Sequence, residues 1–205
     1  MIRPLTFFVL SQLLCAIAAA QTAASPQPLL DNEFVRVTRV SQPLHPNDDT
    51  DRALVQLSGE TATFIPKGSA IHVTSPVDPN DLIVELKNHW DVEVKPCAYP
   101  KQCTHETRMG GETVAWSTTL FTNGFVTATT HRLALHATLD SSYYTAKGSD
   151  RILIIPFTTF RANFGGIDES LTPGEPYFTK GIEVEVTAPD AETRWLVLRI
   201  NTPER

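Results

Sequence analysis

Leu29-Leu30-Asp31-Asn32-Glu33-Phe34-Val35-Arg36-Val37-Thr38-Arg39-Val40-Ser41-Gln42-Pro43-Leu44-His45 returns ninety-one positions later as Leu120-Phe121-Thr122-Asn123-Gly124-Phe125-Val126-Thr127-Ala128-Thr129-Thr130-His131-Arg132-Leu133-Ala134-Leu135-His136. Aligned without a gap, 7 of the 17 pairs are identical, among them Asn32/Asn123, Phe34/Phe125, Val35/Val126 and His45/His136. The first copy alternates as a strand does, with Phe34, Arg36, Thr38 and Val40 on one face and Val35, Val37 and Arg39 on the other. A pattern that recurs at so wide a spacing marks a duplicated structural unit.

Working outward, Pro43 and Pro46 bracket His45 and end the strand. Arg52 to Leu57 reads as a second strand closed by Ser58-Gly59, Thr61 to Ile65 as a third stopped at Pro66-Lys67-Gly68, and Ser69 to Ser75 as a fourth. Leu82 to Leu86 makes a fifth after the turn residues Asp78-Pro79-Asn80-Asp81. Short strands with turns between them have the rhythm of a sandwich or barrel. The later strands also recur. Asp150-Arg151-Ile152-Leu153-Ile154-Ile155 answers Asp51-Arg52-Ala53-Leu54-Val55-Gln56, and Leu196-Val197-Leu198-Arg199-Ile200 answers Leu82-Ile83-Val84-Glu85-Leu86 at an offset of 114. Fifteen scattered prolines and abundant β-branched residues leave no segment that reads as a helix.

The ends and the charge place the chain. Arg3, the apolar run from Leu5 to Ala19 and the small residues Ala18-Ala19-Ala20 read as a secretory signal over residues 1–20, cleaved before Gln21 and taking Cys15 with it. The run is shorter than the roughly 20 residues that span a bilayer, and no later run provides a transmembrane segment. Residues 21–28 read as a flexible leader, 29–87 as the first repeat, 88–119 as a connector, 120–200 as the second repeat and 201–205 as a tail. Without Arg3, 16 basic residues face 23 acidic ones, a net charge of −7. With no basic run, nucleic acid and anionic membrane surfaces are poor partners. A small molecule or an envelope protein is the partner expected of a secreted or periplasmic chain. Cys97 and Cys103 are expected to form a disulfide, worth about 2 kcal/mol by loop-closure entropy. The zinc or redox alternative has neither a second cysteine pair nor C-x-x-C spacing.

Asn32 to Val37, Pro43-Leu44-His45, Asp51 to Gly59, and Pro66-Lys67-Gly68 with His72 together resemble a cupin, and with the weaker second copy the whole is similar to a bicupin. The resemblance implies an all-β fold of two jelly-roll (cupin-like) β-barrel repeats. Cupins hold a metal through H-x-H-x(3,4)-E and P-x-G-x(2)-H, which bring imidazoles and a carboxylate together inside the barrel. Here the first motif reads His45-x-Asn47-x(3)-Asp51 and the second Pro66-x-Gly68-x(3)-His72, one residue longer than the pattern. The resemblance thus implies His45, Asp51 and His72 as ligands of a divalent transition metal (Fe, Mn, Zn or Ni), with Asn47 as a weak oxygen donor. In the second repeat His136, Thr138, Asp150 and Glu185 take the matching positions.

Arg52 and Arg151, each after an Asp at the start of an apolar strand, could reach into a cup and bind a carboxylate or could pair with that Asp. Asn47, Arg52, His136 and Arg151 are therefore the candidate ligand-binding residues. His131, on a face with Leu133 and Leu135, reads as a partly buried, hydrogen-bonded histidine rather than a ligand. No residues assemble a nucleophile elbow, a phosphate loop or H-E-x-x-H. The expectation is an exported, non-catalytic degenerate bicupin that binds a small polar or anionic ligand or an envelope partner, without a cofactor. The alternative is a metal-dependent enzyme working through the first repeat on a small organic substrate.

Overall fold

The computed structural model describes residues 27–40, 49–69, 76–87, 95–97, 103–122, 125–139, 151–180, 184–188 and 190–200. The strands there are β1 (Leu30–Asp31), β2 (Val35–Arg39), β3 (Asp51–Gln56), β4 (Thr61–Ile65), β5 (Leu82–Leu86), β6 (Lys95–Pro96), β7 (Thr104–Met109), β8 (Glu112–Thr122), β9 (Val126–Leu133), β10 (Thr138–Leu139), β11 (Arg151–Pro156), β12 (Phe160–Phe164), β13 (Ile167–Leu171), β14 (Tyr177–Lys180), β15 (Val184–Thr187) and β16 (Thr193–Ile200). No helix occurs among the described residues, so none there is long and apolar enough to cross a membrane. The signal segment, the expected fourth strand and the tail lie outside them.

Among the described residues three antiparallel sheets form, in the orders β1-β2-β5-β3-β4, β14-β11-β16-β9-β8-β6 with β7 also on β8, and β10-β15-β12-β13. The duplication is visible in the pairing. In the first sheet Val84 stands between Val37 and Ala53; in the second, Leu198 stands between Ala128 and Leu153. The order β2-β5-β3 is thus repeated as β9-β16-β11, and the offsets of 91 and 114 hold in space.

The middle strand needs a correction. Ala53 corresponds to Leu153, an offset of 100, whereas matching the Asp-Arg letters gives 99. Arg151 therefore stands where Asp51 does, not where Arg52 does. A slip of one residue turns every side chain to the other face. Burial decides the register: it sends Leu153 and Ile155 into the same core as Ala53 and Val55.

That core lies between the first two sheets. Val35, Val37, Val55, Leu82 and Val84 meet Ala128, Leu153, Ile155, Leu196 and Leu198. The other face of the second sheet, with Leu133, Ile152, Ile154, Trp195 and Val197, packs on Phe160, Ala162, Phe164, Val184 and Val186 of the third. The second sheet is a middle layer covered on both faces, which explains the unbroken apolar runs Ile152–Ile155 and Trp195–Leu198. A smaller cluster of Val40, Leu54, Ile65 and Ile83 lines the other face of the first sheet.

Matching edge strands cross between the repeats. Phe64 of β4, opposite Ala53, lies 5.5 Å from Phe121, while Phe178 of β14, opposite Leu153, stacks on Phe34 at 5.9 Å. Such nearly reciprocal contacts are those of an approximate twofold pair.

The stretch read as a connector supplies β6, β7 and most of β8 to the second sheet. Gly110 and Gly111, with φ of 60° and 93°, make the tight β7–β8 turn, in which both central residues need a left-handed backbone. Cys97 and Cys103 are disulfide-bonded. The Cys97 N–H donates to the Leu120 carbonyl, and the Thr119 N–H donates to the Cys103 carbonyl. The two cysteines therefore face consecutive residues of β8, and β6 and β7 run on as one edge.

Candidate functional site

Alternation along β8, β9 and β16 separates two faces. Ala115, Ser117 and Thr119 of β8, Thr127, Thr129, His131 and Leu133 of β9, and Trp195, Val197 and Arg199 of β16 point to the third-sheet side. One end of this inner face is apolar, where Ala115, Leu133, Trp195 and Val197 join the core of the second repeat. The other end turns to hydroxyls and charge. There Ser117, Thr119, Thr127, Thr129, His131, Val197 and Arg199, with His105 opposite Ser117 on β7, line a cavity of about 310 Å³.

His131 sits on the border between the two ends. It is 7% exposed, and its ring stacks on Trp195 at 5.3 Å with planes 14° apart; Trp195 in turn meets Phe160 at 5.3 Å. Burial lowers the imidazole pKa to about 3, with the nearby Arg199 charge adding to the effect. His131 is therefore neutral at physiological pH, and Arg199 is the permanent cation of the cavity. Among the described residues that line it there is no carboxylate. A guanidinium among four hydroxyls is a donor-rich surface matched to an anion, for which arginine offers paired N–H groups.

A second cleft, of about 290 Å³, opens on the opposite face of the same strands, among Glu60, Trp116, Thr118, Thr130, Arg132 and Arg194. Its cations are matched internally. Arg132 lies over the Trp116 ring at 4.8 Å and pairs with Glu192, and Arg194 pairs with Glu60 at 2.5 Å. Glu60 comes from the β3–β4 turn of the first repeat, where its φ of 51° is left-handed. This cleft is a seam joining the repeats.

The residues singled out in the sequence take different places. His45, Asn47, His72 and Asp150 lie outside the described residues. Asp51 is buried on the shared-core face with Ala53 and Val55, and its Oδ1 accepts the Lys67 N–H at 2.9 Å. Arg52 points to the opposite face, with Leu54, and its neighbour across the strand is Glu85. Arg151 does not enter the second cup: its guanidinium lies 4.1 Å over the Phe34 ring, between the first two sheets, because the register places it on Asp51's face. His136 is exposed in a turn with φ of 63°, outside the residues that line the polar cavity, and its N–H donates to the Ala188 carbonyl at 2.7 Å.

Glu185 is exposed on β15. With His136 and Glu185 both turned to solvent, the second repeat's described donors do not fit a metal centre. Among the described residues no three His, Cys, Asp or Glu side chains converge.

Arg199 and the hydroxyl row were missed in the sequence because threonines in a strand read as ordinary β-formers. Two signals were available. Ser117, Thr119, Thr127 and Thr129 recur at period two beside His131, and Arg199 replaces Glu85 in the repeat.

No family model matches the chain, and no curated protein matches it. Solved structures do, and those with the following descriptions are cupins. A cupin domain of a transcriptional regulator from Enterobacter cloacae is 12% identical over 43% of this chain and 98% of its own, with a TM-score of 0.39. An RmlC-like cupin from Shewanella frigidimarina is 15% identical over 56% of this chain and 97% of its own, with a TM-score of 0.41. A cupin-2 domain from Rhodospirillum rubrum is 10% identical over 58% of this chain and 76% of its own, with a TM-score of 0.37.

Proposed function

We propose that this chain is an exported, degenerate bicupin that binds a small anionic molecule, of the size and charge of a simple carboxylate, at the polar end of the second repeat. The observation that carries the reading is the composition of that cavity, in which Arg199 stands with the hydroxyls of Ser117, Thr119, Thr127 and Thr129 among the described lining residues. The Cys97–Cys103 disulfide supports an oxidising compartment, and the opening segment supports secretion or the periplasm. Binding without catalysis fits a wall of hydroxyls beside a buried neutral imidazole.

Titrating the purified chain with small carboxylates and with neutral sugars, read by thermal shift, tests this. Carboxylates should raise the melting temperature, sugars should not, and Arg199→Met should abolish the rise. A chain stabilised by sugars and indifferent to carboxylates overturns the reading. The non-catalytic part has its own test, elemental analysis after purification without added metal. One metal per chain, lost in a His45→Ala/His72→Ala variant, would replace it with a metal-dependent cupin enzyme of the first repeat.

A further inference from the structure

Threonines stand opposite one another along β7, β8 and β9, and one pair differs from the others. Thr104 of β7 faces Thr118 of β8, and their hydroxyls bond at 3.0 Å. Thr130, opposite Thr118 on β9, donates to its carbonyl at 3.3 Å. Thr122 of β8 faces Thr127 of β9, and their hydroxyls bond at 2.8 Å. Thr119 and Thr129 are opposed in the same way, yet among the described residues neither hydroxyl has a hydrogen-bond partner. Both line the polar cavity. Opposed side chains hold their Cβ atoms about 5 Å apart, and a hydrogen bond between hydroxyls spans about 2.7 Å. One oxygen placed between the two threonines can therefore accept from one and donate to the other.

The neighbours of this pair define the rest of a ligand. Thr127 lies two residues back along β9, about 7 Å away, with Arg199 opposite it on β16. The step between these adjoining rows is within the reach of an arginine side chain. A guanidinium carries five N–H donors, enough to serve a protein partner and a ligand carboxylate together. Val197 stands opposite Thr129 and is buried, so it offers a methyl surface beside the hydroxyls. A carboxylate held at Arg199 directs its next carbons toward Thr119 and Thr129. An alkyl carbon there displaces water from both hydroxyls and returns no hydrogen bond, which is the costly case of an unmet polar group. A carbon that bears a hydroxyl meets both.

We propose that the ligand of this cavity is a small hydroxy acid, with its carboxylate on Arg199 and its hydroxyl between Thr119 and Thr129. The proposal rests on the reading of the cavity as a carboxylate site and adds the group that selects among carboxylates. Thr119 and Thr129 become the specificity-determining residues, while Arg199 supplies the charge that every carboxylate shares.

The test is an NMR titration of the full chain at neutral pH with lactate against propionate and with 3-hydroxybutyrate against butyrate, pairs that differ by one hydroxyl. The Arg199 Nε–H and the Thr119 and Thr129 amide resonances report binding. In at least one pair the hydroxy acid should bind about fivefold or more tightly, the worth of a net neutral hydrogen bond or two. Arg199→Met should abolish the binding of both members. Thr119→Val and Thr129→Val, which keep the β-branched shape and lose the hydroxyl, should each bring the ratio of the two affinities close to one, and Thr129→Ser should restore it. If both members of each pair bind equally through Arg199, the hydroxyl position is overturned and the carboxylate reading stands. A preference that survives both valine variants overturns it as well. If no acid binds, or binding survives Arg199→Met, the carboxylate reading falls and this one with it.

Discussion

Leu198→Ala tests whether the two repeats are one folding unit. Leu198 is fully buried, between Ala128 and Leu153 in its own sheet and within the core shared with the first sheet. Truncation removes three carbons from a layer with sheet on both sides, where backbone ladders prevent collapse. Large-to-small changes at such sites cost about 2–5 kcal/mol, and a value of about 3 is expected. With a urea slope of about 2 kcal/mol/M, the unfolding midpoint should fall by about 1.5 M. The assay is urea unfolding followed by tryptophan fluorescence and by far-UV circular dichroism. Because the core belongs to both repeats, both probes should move together in a single transition. Val84→Ala, the same position in the first repeat, should lower the midpoint in the same way by a smaller step. Two separated transitions, with one untouched by Leu198→Ala, or a loss below about 1 kcal/mol, would refute the shared-core reasoning.

Three more outcomes follow from particular residues. Folded His131 stays neutral down to about pH 3 while the unfolded imidazole takes up a proton below 6.5, so stability should fall as pH drops from about 6.5 toward 3. His131→Phe should flatten that slope between pH 6.5 and 4.5, measured by urea midpoints across pH. Cys97→Ser/Cys103→Ser should lose about 2 kcal/mol, the loop-closure term for so short a span, while keeping the far-UV spectrum. Gly174 has φ of +74°, and a Cβ there would sit 2.8 Å from Leu57 Cδ1. Gly174→Ala should therefore cost about 1–3 kcal/mol in thermal unfolding, and a double-mutant cycle with Leu57→Ala should recover the steric share.

Much of this fold was legible because duplication doubles the evidence. The Leu29–His45 pattern and its copy located β2 and β9, and Leu82–Leu86 is β5 to the residue. The register of β11 was not legible, because matching Asp-Arg letters favours one offset while burial of Leu153 and Ile155 imposes another. The edge formed by β6 and β7 was hidden too. His105 and Glu106 fell within the stretch read as a connector because an edge strand, exposed along most of its length, shows no apolar alternation. The site divides along the same line. His131 was read as partly buried and is buried at 7% exposure, since its neighbours in sequence settle its face. Arg199 drew no notice because its significance depends on strands far apart in the chain.

The position of β16 has a consequence for how the chain is made. It is the last of the described strands, yet it pairs with both β9 and β11 and supplies Leu196, Leu198 and Ile200 to the shared core. A ribosome delivers the residues in order, so every other described strand is synthesised before the one that joins the halves exists. Until then β9 and β11 lack their common partner and the first sheet lacks the cover of Leu196, Leu198 and Ile200. Folding is thereby delayed until β16 has been made, through contacts distant in sequence. The export proposed above would be served by that delay, and the order of the strands supplies it.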